Sequence, residues 1–169
     1  MKMKITLVLI LAGTRMPVVG FANDTVQPKN ELLLLGGVAD IRRSNDTLPF
    51  GAIQARFAPN WHGIHPYAQV GYESGGSTIA AAGILYNLLL PGKFSDLRLT
   101  LGTGPGIYHH AGAANNLGDA VEFYSWAELS MTILAHRVGV GIGHISNAHL
   151  SHHNPGLDGV NASLVALAW

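Results

Sequence analysis

The sequence predicts an all-β protein, an eight-stranded antiparallel transmembrane β-barrel of the outer-membrane type. Three observations carry that reading. Apolar and polar residues alternate with period two through most of the chain beyond residue 22, which is the signature of strands with two different faces. Charged residues make up 12% of the chain, about half the share of an ordinary soluble domain, while glycine is frequent at 21 residues. The chain also ends on an aromatic residue, Trp169, in a strand-like segment, as outer-membrane barrels commonly do.

The first residues follow a different logic. Met1-Lys2-Met3-Lys4 is positively charged, residues 5–13 are apolar, and Gly20-Phe21-Ala22 is a small-x-small site before Asn23. This order predicts a secretory signal peptide over residues 1–22 and a barrel over residues 23–169. Arg15 and Pro17 cut the apolar run short of the roughly 20 residues that a membrane helix needs. The chain has no cysteine, so it has no lipoprotein attachment point, no disulfide framework and no thiolate chemistry.

Eight strand candidates follow in order. Residues 31–40 form an irregular first candidate. Ile53, Ala55 and Phe57 then interleave with Gln54 and Arg56, and Ala68, Val70 and Tyr72 with Gln69, Gly71 and Glu73. Residues 79–90 are again less regular. Leu97, Leu99 and Leu101 alternate with Arg98, Thr100 and Gly102, and Val121, Phe123, Ala127, Leu129, Met131 and Ile133 with Glu122, Tyr124, Glu128, Ser130 and Thr132. Val138, Val140 and Ile142 alternate with Arg137, Gly139, Gly141 and Gly143, and residues 161–169 close the series. Turn signals such as Ser74-Gly75-Gly76 and Pro91-Gly92 separate them.

The polar face carries Arg56, Arg98 and Arg137 against Glu73, Glu122 and Glu128, a balance suited to pairing inside a narrow barrel. A membrane barrel turns its apolar face outward and its polar face inward, the inverse of a soluble sandwich. With both termini periplasmic, strands 1, 3, 5 and 7 run outward and the long connections should follow them. The links over 109–120 and 147–159 are long and the link near Ala135-His136 is tight, although the link after strand 3 is shorter than this scheme asks. The far end of strand 7 is thereby expected at the outer leaflet.

His144, Ser146 and Asn147 lie at that end. His144 and Ser146 are two residues apart, so they share a strand face with Val138, Val140 and Ile142. Polar side chains on a lipid-facing strand are costly without a purpose. A base beside a hydroxyl is the minimum for an activated serine, and a third group should orient the imidazole. Asp158 is the nearest carboxylate, where antiparallel strand 8 returns beside strand 7.

The stretches Gly143-His144-Ile145-Ser146-Asn147-Ala148 and Asn154-Pro155-Gly156-Leu157-Asp158 resemble the lipid A 3-O-deacylase (PagL) family. That family carries a His-x-Ser-Asn motif near the end of an eight-stranded outer-membrane barrel. Its acid, commonly Glu, follows the histidine by fourteen residues, where this chain has the shorter Asp158. The resemblance implies Ser146 as nucleophile, His144 as base and Asp158 as orienting acid. It also implies oxyanion stabilisation by Asn147 with backbone N–H groups of the turn. His149 replaces a residue that is often small in the family. The implied protein is a serine esterase of the bacterial outer membrane, a multi-pass β-barrel that hydrolyses the 3-hydroxyacyl ester at position 3 of lipid A. It needs no metal and no cofactor. Its partners are lipopolysaccharide and the membrane, with a homodimer as an option.

Two readings of other classes stand beside this one. A structural or adhesion barrel would carry its function in the loops. A metal-binding barrel would use the loop histidines His109, His110, His149, His152 and His153, although none of them has a regular metal-ligand spacing. Nucleic acid is excluded as a partner, because the net charge is zero and the basic residues are scattered.

Overall fold

The computed structural model describes residues 29–42, 47–59, 62–111 and 116–169. The expected leader over residues 1–22 lies outside them. The strands are β1 (Glu31–Ala39), β2 (Leu48–Arg56), β3 (Ile64–Glu73), β4 (Thr78–Leu89), β5 (Leu97–His109), β6 (Val121–Ile133), β7 (His136–Ser146) and β8 (Leu157–Ala168). Each pairs antiparallel with the next and β1 pairs with β8, so the sheet closes on itself and leaves no edge.

Several strands run beyond the residues whose alternation marked them. β5 runs to His109, where its long connection was expected to start, and Gly102, Gly104 and Gly106 take inward places. Gly102 makes room for a neighbour: a Cβ there would lie 2.4 Å from the Trp126 ring. β8 begins at Leu157 rather than 161, because Ile145 pairs with Leu157 and His144 with Asp158. Asp158 is therefore held in the ladder rather than at the end of a loop.

The pleat sorts the side chains as the alternation predicts. Glu122, Tyr124, Trp126, Glu128 and Ser130 of β6 are buried in the lumen, while Val121, Phe123, Leu129 and Met131 face out. Arg56 is 2% exposed and Val140 is 64% exposed, the inversion that marks a membrane-spanning barrel. The lumen is filled. The guanidinium of Arg56 donates to both oxygens of Glu128, at 3.0 and 2.8 Å, and lies 4.8 Å from the centre of the Trp126 ring. The Tyr67 ring meets the same indole edge-on, and Gln54 donates to Gln69 across β2 and β3. Arg98 pairs bidentately with Glu31, a partner the sequence outline had not placed on the polar face.

Connection lengths follow the expected asymmetry in part. The β6–β7 hairpin turns on Leu134 and Ala135, both at positive φ as a two-residue hairpin requires. The links over 110–120 and 147–156 are long, and the β3–β4 link over 74–77 is short. The opposite end is not uniformly tight, since the links over 57–63 and 90–96 are intermediate.

Removing one member of a buried ion pair strands the other charge without a partner, at a cost of about 3–5 kcal/mol. Arg56→Ala should lower the urea midpoint of the barrel refolded in detergent micelles, and Arg56→Ala with Glu128→Ala should recover much of the loss. An unchanged midpoint for the single variant would show that the pair contributes nothing.

Candidate active site on the outer wall

β7 places His144 and Ser146 on its outward face, opposite Ser125 and Phe123 of β6. Antiparallel pairing with β8 sets Asp158 directly across from His144. The two side chains meet, with His144 Nδ1 2.9 Å from Asp158 Oδ1. A carboxylate only accepts, so Nδ1–H is the donor, and in the neutral imidazole Nε2 then carries the lone pair. The second carboxylate oxygen, Asp158 Oδ2, accepts from Arg42 Nε at 2.7 Å, and the Asp158 carbonyl accepts from the Ile41 N–H at 3.2 Å. The carboxylate is thus fixed from two sides, by the imidazole and by the turn that follows β1.

Gly156 sits against the imidazole. It lies at φ +66°, and a Cβ there would approach His144 Cε1 to 2.8 Å. Glycine meets both demands, the left-handed backbone and the close contact. Among the described residues no hydrogen bond joins Ser146 to His144. The two are same-face neighbours, and catalytic contacts of this kind tighten when substrate is bound. Of the other carboxylates, Asp119 accepts from the Ala120 and Val121 N–H groups, and Glu122 is buried in the lumen.

Asn147 is fully buried, and its donors are spent inside the loop. Nδ2 lies 3.0 Å from Leu117 O, 2.8 Å from Ser151 Oγ and 2.8 Å from His153 O, and its backbone N–H donates to Asn154 Oδ1. Its Oδ1 accepts from the His149 N–H and its carbonyl from the Leu150 N–H. The expectation that the Asn147 side chain faces an oxyanion is revised accordingly: the residue clamps the 147–156 loop onto the β5–β6 loop. That arrangement leaves the Ala148 N–H without a partner among the described residues. Ala148 and His149 both have positive φ, so the chain turns sharply just past Ser146.

The loop histidines do not converge. His109 and His110 stack at 6.4 Å and His153 Nε2 contacts Asn116 O. Among the described residues no group of three or more His, Asp or Glu is placed to hold a metal ion.

Residues 45–165 match the family described as Lipid A 3-O-deacylase (PagL). The chain belongs to the PagL family. No curated protein matches it in sequence. The crystal structure of the outer membrane enzyme PagL is similar in fold, with a TM-score of 0.55 and 17% identity over 79% of this chain and 97% of that one. A neisserial surface protein, NspA, is also similar, with a TM-score of 0.53, 10% identity and coverage of 80% and 94%. So is a de novo designed transmembrane β-barrel, with a TM-score of 0.52, 12% identity and coverage of 82% and 93%. These likenesses show the fold of an eight-stranded outer-membrane barrel, and PagL membership makes the chain one of a family of acyl-ester hydrolases. Nothing among them supports a homodimer.

Sequence reasoning missed Arg42. It stands just past β1, and only barrel closure, which pairs β1 with β8, brings that turn against Asp158. If Asp158 sets the imidazole tautomer in this PagL-family barrel, Asp158→Asn should shift His144 from the Nδ1–H to the Nε2–H form. Nitrogen NMR of ring-labelled histidine in micelles reads this directly, and an unchanged tautomer would remove Asp158 from that role.

Proposed function

We propose that this protein is a lipid A 3-O-deacylase working by a Ser-His-Asp mechanism, with Ser146 as nucleophile, His144 as base and Asp158 as orienting acid. The observation that carries the proposal is the cross-strand His144–Asp158 hydrogen bond beside Ser146 on the outward face. Family membership supports the substrate, and the end of the barrel at which the site lies supports its placement at the outer leaflet.

The chemistry follows from the groups present. Ser146 Oγ attacks the carbonyl carbon of the 3-hydroxyacyl ester at position 3 of lipid A, and its proton passes to His144 Nε2. The resulting imidazolium is held by Asp158, itself anchored by Arg42. The oxyanion takes the Ala148 N–H, two residues beyond Ser146, in the turn that Asn147 organises. One such donor contributes about 3–4 kcal/mol in comparable sites. The tetrahedral intermediate collapses, Nε2 returns the proton to the departing sugar oxygen, and an acyl-serine remains. Water, deprotonated by Nε2, then releases the 3-hydroxy fatty acid and restores Ser146.

Approach is from the side. Val140 and Ile142, 64% and 62% exposed, continue the face of His144 and Ser146 toward the membrane midplane. An acyl chain lying along this wall brings its ester to Ser146 near the headgroup boundary, and the filled lumen takes no part.

Ser146→Ala and His144→Ala should each abolish release of the fatty acid from purified lipid A, followed by the masses of both products. The double variant should be little worse than either alone, because such residues act as a unit. Residual activity of a tenth or more in Ser146→Ala would require another nucleophile. On the approach path, Ile142→Arg should weaken deacylation and also cost up to about 2–4 kcal/mol of barrel stability, depending on its depth. Full activity in a folded Ile142→Arg protein would argue against entry along this wall.

A further inference from the structure

The outward face of the barrel is apolar almost throughout. Tyrosines aside, polar side chains at Thr78, His109 and His136 stand at strand termini. Among the described strand residues the other polar side chains on this face are Thr103, Ser125, His144, Ser146 and Asp158. Three of these are the proposed triad. The remaining two, Thr103 and Ser125, are exposed and lie well inside their strands.

Their placement is not scattered. Thr103 pairs with Ser125, Ser125 with His144, and His144 with Asp158, so four polar residues form one line across β5, β6, β7 and β8. Thr103 Oγ1 and Ser125 Oγ are 3.0 Å apart. Two hydroxyls bring two hydrogens, and their mutual bond uses one. The second hydrogen has no partner among the described residues, on a face turned to lipid, where an unmade hydrogen bond is costly.

We propose that the Thr103–Ser125 pair is a specificity subsite that binds the hydroxyl carried by the acyl chain on the carbon β to the scissile ester. The inference rests on the deacylase reading and deepens it. Depth selects the acyl chain over the sugar. β6 runs inward from Val121, so Ser125 lies nearer the midplane than Phe123, the partner of Ser146. Groups on that side of Ser146 meet the chain that enters the bilayer, while the sugar stays at the surface. Reach also agrees. Ser125 is the diagonal neighbour of Ser146, about 7–8 Å away between backbones, and an attacked carbonyl sits roughly 3 Å from the nucleophile. A hydroxyl on the β carbon spans the remainder. Beyond it the wall continues as a shallow furrow lined by Ala127, Leu129, Val140, Ile142, Val160 and Ala162, which is apolar and suits the rest of the chain. A plain acyl chain would leave the spare hydroxyl hydrogen unused, and a site built around such a bond discriminates against the ligand that lacks it.

The test uses the full-length protein in mixed micelles with two synthetic lipid A analogues. They differ only in whether the chain at position 3 is a 3-hydroxyacyl chain or the plain chain of the same length. The ratio of kcat/KM for the two should be about tenfold in favour of the hydroxyacyl ester, the size of one hydrogen bond. In Thr103→Val with Ser125→Ala it should fall to about one. Ser125→Ala alone, which only removes polarity from a lipid-facing position, should lower it in the same direction. A wild-type ratio near one, or an unchanged ratio in either variant, would overturn the subsite while leaving the deacylase reading intact. Hydrolysis of neither ester by the wild-type protein would overturn both.

Discussion

Everything at the site depends on the pleat of a closed sheet. Successive residues of a strand point to opposite faces, and closure fixes one face as lumen and the other as lipid boundary for all eight strands at once. His144 and Ser146 share parity with Val140 and Ile142, so the faces cannot be exchanged for one pair without exchanging them for the wall. A one-residue slip of β8 against β7 would turn Asp158 into the lumen and leave His144 without its carboxylate partner. Register is held by the filled interior: the Arg56–Glu128 pair, the Trp126 ring above it and the Arg98–Glu31 pair each bond across the lumen rather than along one hairpin. The ion pairs that hold the barrel lie on the inner face, and the proposed chemistry lies on the outer one.

Much of this was legible in the chain, because both periods involved are short. Alternation over two residues exposes strands such as β6, and it assigned His144 and Ser146 to the outward set without any knowledge of the neighbours. The motif placed Asp158 because antiparallel return across a single connection is predictable. What resisted was whatever depends on closure or on the interior volume. Arg42 is remote from Asp158 in sequence and reaches it only because β1 closes onto β8. Glu31 finds Arg98 across the lumen. Alternation placed Gly102 on the inner face of β5, and only the Trp126 ring explains why that position must be small.

Asn147 marks the limit of motif reasoning from another direction. The residue type was informative, since an amide with two donors and an acceptor suits a crowded polar turn. Its direction was not, because the competing acceptors, Leu117 O, Ser151 Oγ and His153 O, come from two different loops. Asn147 is what holds the loop beyond Ser146 in a fixed turn, and through that turn it sets which backbone N–H stays open. A motif position can be required for catalysis by shaping the chain around the reacting atoms without touching them.

The site also resolves an energetic tension. Polar groups on a lipid-facing wall are tolerated where they bond to one another or stand near the headgroups. His144 bonds to Asp158, Asp158 to Arg42, and Thr103 to Ser125, so the line of polar residues is largely satisfied along the wall before any substrate arrives. What remains unspent is one imidazole lone pair, the Ser146 hydroxyl, one spare hydroxyl hydrogen and one backbone N–H at Ala148. Those are the groups that an ester with a nearby hydroxyl would engage, and they face the phase in which such a lipid is dissolved. In the proposed reading, the barrel does not need to extract its substrate from the membrane. Lateral diffusion would then deliver the ester to the outer wall, where the ladder that closes the barrel holds the proposed reacting groups in place.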